Sequence, residues 1–150
     1  MRKILLFFCV FALITTLFSF TSVAATSGKI GHCTWELQGA TLTIKGNGST
    51  GNVSNPPWGT EIRRLYVEEG VTSLGNNLFR GCDYLNEVSL PSTLTGIGEK
   101  TFEYCNSLKS ISFPEGLKFI GTSAFQQCKQ LQEVYISSTV TNIGYMAFMS

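Results

Sequence analysis

The sequence contains little of what enzymes and nucleic-acid-binding proteins commonly use. His32 is its single histidine, and charged residues make up 14% of the 150 residues, with a formal net charge of +1. One histidine cannot build a histidine-rich metal cluster. As a general base, His32 would need an oriented nucleophile, and the nearest thiol is its direct neighbour Cys33. We therefore predict no catalytic residue, no metal site and no cofactor, and we expect His32 to lie on the surface.

Clusters of basic residues are lacking as well. Outside the N-terminal segment 1–25, nine of the eleven basic residues remain against ten acidic ones, so no basic patch is left to bind nucleic acid or anionic lipid. Four glutamates fall on or beside predicted strands: Glu68, Glu69, Glu87 and Glu133. Two facing carboxylates could hydrolyse a glycoside, but no pattern marks a cleft around them. We interpret these glutamates as solvated charge.

The N-terminal segment has the pattern of an export signal. Two basic residues precede an apolar run from Ile4 to Phe20, and small residues follow up to Ala24 and Ala25. This order predicts a secretory signal peptide over residues 1–25, which is cleaved after Ala24 or Ala25 and takes Cys9 with it. The apolar run also lies near the lower limit for spanning a bilayer, so an uncleaved anchor is the alternative. We predict a secreted or cell-surface protein that contacts the membrane only through this segment, if it is uncleaved.

A regular repeat organises the rest of the chain. The units are residues 62–84, 85–107, 108–130 and 131–150, and the last one stops one residue before its cysteine is due. We therefore expect a cysteine at position 151 of a longer chain. The positions that recur at this constant spacing are Cys82, Cys105 and Cys128; Phe79, Phe102, Phe125 and Phe148; and Gly75, Gly98, Gly121 and Gly144. Such self-similarity is the mark of a solenoid.

Each unit predicts one short strand and a return. The segments "LYV", "VSL", "ISF" and "VYI" alternate with period two, so each is expected to form a strand. The second half of each unit has apolar residues at spacings of three and four, which predicts a turn and a short helical or 3₁₀ return. We expect the repeated glycine to take a positive φ at the corner. One strand of this size cannot bury its face alone, so the units are predicted to stack into a β-rich solenoid.

The segment before the repeats predicts a cap. Residues 35–37 and 41–44 alternate around the "QGA" turn, which indicates a β-hairpin. We expect residues 26–61 to form an N-terminal β-hairpin cap and loop before the repeat domain at residues 62–150. The cap would cover the open end of the first coil, because an unpaired apolar strand edge promotes aggregation.

The four units share the pattern L-x-x-I-x-I-P-x-x-V-x-x-I-G-x-x-A-F-x-x-C. This pattern resembles the BspA-type leucine-rich-repeat family, also called the Treponema-pallidum-type repeat class. The segments "CTWELQGATLTIKGNG" and "NPPWGTEIRRLYVEEGV" also resemble the start of such proteins. The resemblance implies a leucine-rich-repeat, right-handed superhelix with an N-terminal β-hairpin cap. It also implies cell-surface or secreted proteins that adhere to host matrix or to other cells.

Two features depart from the family pattern. The common leucine-rich consensus has asparagine or cysteine at the ninth position of the unit, whereas this chain has Gly70, Thr93, Gly116 and Thr139. In the first two units, Leu78 and Thr101 replace the alanine before the repeated phenylalanine. We expect those coils to be locally wider or more polar.

The cysteine column predicts packing rather than chemistry. Adjacent coils lie about 4.8 Å apart, and parallel side chains would keep the Cβ atoms near that distance, beyond the usual ~3.5 to 4.5 Å of a disulfide. A linear column also cannot surround zinc tetrahedrally. We predict that Cys82, Cys105 and Cys128 are free, buried thiols, and Cys33 near the cap has no assured partner. The repeated phenylalanines would be the larger plugs of the same structural ladder.

Alternation also predicts an exposed face. The side chains expected to point into the core are Leu65, Val67, Val88, Leu90, Ile111, Phe113, Val134 and Ile136. Residues between them would line up in three outward columns. These are Arg64, Glu87, Ser110 and Glu133; Tyr66, Ser89, Ser112 and Tyr135; and Glu68, Pro91, Pro114 and Ser137. Our candidate partner-binding residues are Arg64, Tyr66, Glu68, Glu87, Ser89, Ser112, Glu133 and Tyr135. Alternatively, exposed strand positions simply tolerate polar and amphipathic residues.

The combined pattern predicts a non-enzymatic exported recognition module. It would bind a protein or glycan partner through the exposed strand face, as in cell-surface adhesion, because solenoids use such extended faces for binding. Two alternatives stay open: an accessory repeat module of a larger secreted enzyme, and a structural spacer in a surface protein. Asn47 and Asn52 match the N-glycosylation pattern, which matters only in a eukaryotic secretory pathway, and a plain polar loop explains them equally well.

Overall fold

The computed structural model describes residues 26–150, and in that range the chain forms β-strands and turns without a helix. The predicted signal peptide, residues 1–25, lies outside the described residues. The strands are β1 (Thr26–Ile30), β2 (Cys33–Gln38), β3 (Thr41–Gly46), β4 (Gly48–Ser49), β5 (Arg64–Val67), β6 (Val71–Leu74), β7 (Glu87–Ser89), β8 (Gly96–Ile97), β9 (Ser110–Ser112), β10 (Phe119–Ile120), β11 (Glu133–Tyr135) and β12 (Asn142–Ile143). Each repeat therefore contributes one strand to each of two sides of a β-solenoid.

The strand side of the solenoid begins with the cap. Strands β2 and β3 form the predicted antiparallel hairpin, with Trp35 opposite Ile44, and β1 adds a third antiparallel strand that the sequence did not predict. β3 then pairs in parallel with β5, so that Leu42 lies beside Leu65. β5 pairs with β7 in the same way. The cap therefore satisfies the strand edge of the first coil, while β9 and β11 form a separate two-stranded sheet.

The return side is a second parallel sheet, in the order β12-β10-β8-β6-β4. The predicted helical or 3₁₀ returns are wrong for the described residues, because the amides that would continue a helix bond to the next coil instead. Phe102 N donates to Ala124 O at 2.7 Å, whereas Cys105 N closes a tight turn on Phe102 O at 3.2 Å. Turns and inter-coil bonds alternate in this way through the returns of the first three units, so no helical run develops there.

The repeated glycines have a different role from the predicted one. None of them has a positive φ; instead, the residue two places later does, at Asn77 (φ 61°), Lys100 (53°), Ser123 (55°) and Met146 (57°). The glycines lie where two coils approach most closely. A Cβ added at Gly121 would lie 2.5 Å from the carbonyl carbon of Gly98 in the coil before it. Glycine is needed here because there is no room for a side chain, and not because the backbone is left-handed.

Stacked aromatic rings run through the core. Phe79, Phe102, Phe125 and Phe148 are stacked with centroid separations of 5.1, 5.1 and 5.3 Å. Trp58 extends this stack at 5.8 Å from Phe79, and Trp35 closes it edge-on at 5.6 Å from Trp58. Offset stacks of this kind add to the free energy of burial. Sequence reasoning missed Trp58, which lies two positions too close to Phe79 to fit the spacing of the repeat.

The cysteines lie beside this stack as neutral thiols. Cys105 Sγ lies 3.3 Å from Phe79 O, and Cys128 Sγ lies 3.1 Å from Phe102 O, so each thiol donates to the preceding coil. Burial raises the pKa of Cys82 to about 12 and that of Cys128 to about 11, and it raises the pKa of Cys105 well above its usual value. The cysteines that are free and buried are Cys33, Cys82, Cys105 and Cys128.

The predicted core positions differ in burial along the solenoid. Leu65, Val67, Ile111 and Phe113 are buried, and Val88, Leu90 and Val134 are partly buried. Ile136 was predicted wrongly: it is 48% exposed, because it lies in the last coil of the described residues and follows the end of β11.

The first two coils accommodate their unusual residues without exposing them. Leu78 and Thr101 are both fully buried. Thr101 Oγ1 lies 2.9 Å from the carbonyl oxygens of Gly75 and Gly98, which satisfies the buried hydroxyl. The second coil is therefore more polar inside, as its sequence predicts.

Polar side chains also join adjacent coils. Asn76 N donates to Asn52 Oδ1 at 2.9 Å, and Glu99 N donates to Asn76 Oδ1 at 2.8 Å. At the ninth position, Thr93 Oγ1 donates to Val71 O at 2.9 Å. Asn52 therefore has a structural bond in its polar loop, and Thr93 at the ninth position joins the second coil to the first.

Candidate binding surface

The outward side chains of β5, β7, β9 and β11 form the candidate surface. The parallel register places Arg64 beside Glu87 and Tyr66 beside Ser89. In the other sheet, Glu133 lies beside Ser110 and Tyr135 beside Ser112. Of the eight predicted contact residues, Tyr66 is half-buried and the others are exposed: Arg64, Glu68, Glu87, Ser89, Ser112, Glu133 and Tyr135.

The third predicted column does not project from this face as a whole. Pro91 is buried and Pro114 and Ser137 are half-buried, whereas only Glu68 is exposed. The reason is that β7 ends at Ser89, two residues before Pro91, so the alternation of a strand no longer applies there. This part of the prediction is wrong, and two columns remain.

Three predicted residues meet in one polar cluster. Tyr66 Oη donates to Glu87 Oε1 at 2.7 Å, and Arg64 Nε lies 3.3 Å from Glu87 Oε2. The hydrogen bond to the Glu87 carboxylate raises the pKa of Tyr66. Exposed ion pairs contribute only about 0 to 1 kcal/mol to stability. The cluster therefore orients an aromatic ring and two charges more than it stabilises the fold.

A second aromatic residue lies further along the same face. Tyr135 is 59% exposed, and its Oη donates to Glu133 Oε2 at 3.2 Å. Tyr135 also lines a depression of about 230 Å³ together with Glu87, Ser110 and Ser112. Tyr135 therefore lies over the junction between the second and third coils, although its own strand belongs to the fourth.

That junction is open on the strand side. At the other junctions, the amide of the first outward strand residue donates a hydrogen bond to the coil before it. Arg64 N donates to Ala40 O at 3.2 Å, Glu87 N to Arg63 O at 3.3 Å, and Glu133 N to Lys109 O at 3.3 Å. Within the described residues, the equivalent bond from Ser110 N to Asn86 O is absent, and β7 and β9 belong to different sheets. We call this opening the β7–β9 seam. Sequence reasoning missed it, because the second and third units share the same pattern.

Glu69 lies at the rim of the face and has a structural contact. Its carboxylate accepts hydrogen bonds from Ser92 N at 2.9 Å, Ser92 Oγ at 3.0 Å and Thr93 N at 3.3 Å. The bonds from Ser92 are the main reason why the pKa of Glu69 is lowered. Glu69 therefore connects the first coil to the turn of the second.

The other sequence-predicted features are placed as follows. His32 is exposed beside the cap. Within residues 26–150, no group of three or more His, Cys, Asp or Glu side chains is arranged to hold a metal ion. The same part of the chain has no helix of the length and hydropathy that crossing a membrane requires.

Comparison with solved structures supports the fold. The leucine-rich-repeat protein of T. pallidum is 24% identical with a TM-score of 0.64, and the alignment covers 81% of this chain and 67% of that one. A leucine-rich-repeat protein from Eubacterium ventriosum is 20% identical with a TM-score of 0.58, over 77% of this chain and 45% of that one. At these identities the likeness shows the fold alone. Among curated proteins, none matches this chain.

The sequence itself matches a family model. The model described as "BspA type Leucine rich repeat region (6 copies)" covers residues 58–150, which begin at Trp58, the first ring next to the phenylalanine stack. This range includes every repeat unit and more than half of the chain. The chain belongs to the BspA-type leucine-rich-repeat family.

Proposed function

We propose that this repeat module is a non-enzymatic recognition module that binds a protein or glycan partner through the outward side chains of β5, β7, β9 and β11. The observation that carries the proposal is the cluster of Arg64, Tyr66 and Glu87 with the exposed Tyr135 on the same face. Tyrosine and arginine are enriched where proteins bind partners, because they combine a large contact area with hydrogen bonding.

Preorganisation supports this role. The Tyr66 hydroxyl and the Arg64 guanidinium both contact Glu87, so these side chains are oriented before a partner arrives. Binding then costs less conformational entropy than it would with freely rotating side chains. The predicted signal peptide at residues 1–25 supports export, and with it a role in adhesion at the cell surface or in the extracellular space.

A binding screen with paired tyrosine variants tests the proposal. The chain is applied to a glycan array and to immobilised extracellular-matrix proteins, and each positive probe is titrated. We expect Tyr66→Ala combined with Tyr135→Ala to weaken binding by about tenfold or more, since removing two aromatic anchors costs at least about 1.4 kcal/mol. The circular-dichroism spectrum should stay unchanged, because neither ring is part of the buried core.

The matched control removes two exposed tyrosines from the return segments. Tyr104 and Tyr145 are 42% and 73% exposed, and replacing both with alanine removes the same chemistry from another face. We expect this control to bind as the unchanged chain does. Equal affinity of the chain and the Tyr66/Tyr135 variant for every positive probe would contradict the proposal and would favour a spacer or accessory role.

A further inference from the structure

The β7–β9 seam leaves backbone hydrogen-bonding groups without partners. In a parallel ladder, successive residues direct their N–H and C=O groups to opposite sides. Glu87 N donates back to β5, so the backbone of Val88 faces β9. Lys109 O accepts from β11, so the backbone of Ser110 faces β7, and that of Ser112 does too. Within the described residues, none of these seam-facing groups has a backbone partner.

The seam opens on one side of the solenoid only. On the return side of the same junction, β8 and β10 are paired, and Gly121 N donates to Ile97 O at 2.8 Å. In the core between them, Phe102 and Phe125 remain stacked at 5.1 Å. Just before the two strands, Ser107 N also donates to Asp83 O at 3.1 Å, so the separation is confined to β7 and β9, where it exposes two facing strand edges. Unpaired strand edges are templates for an additional strand.

The lining of the seam defines what fits it. Val88 and Ile111 are core-side positions of their strands and line the depression, so they give it an apolar floor. Glu87, Ser110 and Tyr135 line it from the outward face. An extended segment in the seam would direct alternate side chains to the floor and to the outer face. Apolar side chains suit the floor, and basic ones suit the carboxylates outside.

We propose that the β7–β9 seam binds an extended peptide segment of a partner protein, which enters as an added strand between β7 and β9 and bonds to both edges. Apolar side chains of the peptide contact Val88 and Ile111, and its basic side chains lie near Glu87 and Glu133. The Tyr135 ring covers the peptide from the outer face. This inference rests on the proposed function and specifies the class of its partner.

Backbone N-methylation of a probe peptide tests the pairing directly. The probe is an acetylated and amidated heptapeptide of alternating lysine and valine, titrated by calorimetry. Methylating the valine amides blocks the bonds to one edge, and methylating the lysine amides blocks those to the other. We expect the parent peptide to bind and each methylated peptide to bind at least about tenfold more weakly, since each loses the N–H donors that face one edge.

A pair of protein variants tests the hydrogen bond that the Ser110 N–H would donate to the peptide. Ser110→Pro removes the seam-facing N–H, whereas Ser110→Ala keeps it. Proline is tolerated at the first residue of a strand, which Ser110 is, and the lost N–H has no partner in the free chain. We expect Ser110→Pro to abolish peptide binding with an unchanged circular-dichroism spectrum, and Ser110→Ala to bind as the unchanged chain does.

Three results would overturn the seam proposal. Equal binding of the parent and both methylated peptides would show charge attraction alone, and loss with only one of them would show pairing at a single edge. Sedimentation of the peptide-free chain as a dimer that Ser110→Pro disrupts would assign the seam to a second copy. None of these results decides the proposed function. A partner that is held only by outer side chains would still lose affinity for the Tyr66/Tyr135 variant.

Discussion

The two sides of the solenoid differ in how closely their coils are joined. On the return side, all coils share one parallel sheet, which consists of β4, β6, β8, β10 and β12. On the strand side, the sheet from β1 to β7 stops, and β9 and β11 form another. The coils therefore keep their spacing through the return side and the aromatic stack, while the strand side is free to open. A solenoid of this kind can vary its strand face without losing its core.

The largest expected effect comes from the aromatic stack. Phe102 is fully buried between Phe79 and Phe125, so Phe102→Ala leaves a cavity that both neighbouring coils line. We expect it to lower the free energy of unfolding by about 3 to 5 kcal/mol in urea titrations. The matched control is Phe119→Ala: Phe119 is a return-strand phenylalanine that is 40% exposed, and its loss should cost far less. Similar losses for both variants would show that the stack does not hold the coils together.

The close approach of neighbouring coils on the return side predicts a smaller loss of stability, which depends on the glycine that is replaced. A Cβ at Gly121 would meet the Gly98 backbone at 2.5 Å, whereas a Cβ at Gly96 would meet its nearest atom, in Ser73, at 3.8 Å. We expect Gly121→Ala to cost about 1 to 3 kcal/mol, because the two backbones must separate. Gly96→Ala should cost less or stabilise slightly, since neither position has a positive φ. Equal thermal midpoints for the two variants would contradict tight joining at the return side.

The buried thiols predict alkaline sensitivity of the core. Burial raises the pKa of Cys82 to about 12 and that of Cys128 to about 11, from 9.0. The folded chain therefore holds these protons more tightly than the unfolded chain does. Their contribution to stability is full below pH 9.0 and is lost as the pH rises toward 11 and 12.

This sensitivity can be measured by replacing both thiols. We expect the free energy of unfolding to fall less between about pH 8 and about pH 10 in a Cys82→Ala and Cys128→Ala variant than in the unchanged chain. Each protein is compared with itself at the lower pH, so the cavities left by the substitutions cancel. Parallel losses in the two proteins would mean that these cysteines do not titrate with unfolding.

The smallest expected effect lies at the rim of the strand side. Hydrogen bonds from Ser92 and Thr93 lower the pKa of Glu69 below 4.5. The folded state favours the carboxylate, so this contribution is present above pH 4.5 and is lost as the pH falls through the lowered value. We expect Glu69→Gln to reduce the acid dependence of the thermal midpoint slightly. Glu68→Gln is the control, since the Glu68 side chain makes no hydrogen bond within residues 26–150.

The sequence predicts the coils well, because phenylalanine, glycine and cysteine recur unchanged at three positions of the unit. Phe79 and Cys82 reappear in the next units at the same spacing, and such repetition leaves stacking as the way to bury them. Trp58 escaped the pattern because it belongs to the cap and lies two positions out of register. Tyr66 and Glu87 could be placed on one face by alternation, but their hydrogen bond depends on side-chain rotamers, which no spacing reveals.

Two features were missed because the distance between neighbouring coils cannot be read from a single sequence. Gly121 was expected at positive φ, yet glycine is also required where two backbones approach, and a single sequence does not separate these reasons. The seam was missed because the strand segments of the second and third units alternate alike. Whether Ser110 N reaches Asn86 O depends on how far two coils separate, and this distance is a property of packing across the whole junction.

Amide hydrogen exchange of the free chain, followed by NMR, tests the contrast between the two sides most directly. Ser110 faces the seam, whereas Gly121 of the same coil and Glu133 of the next one donate inter-coil hydrogen bonds. We expect the Ser110 amide to exchange at least about 100-fold faster than the amides of Gly121 and Glu133, because only the latter two must wait until their hydrogen bonds open. Protection of Ser110 equal to that of Glu133 would contradict it, since the strand side would then be as closed as the return side.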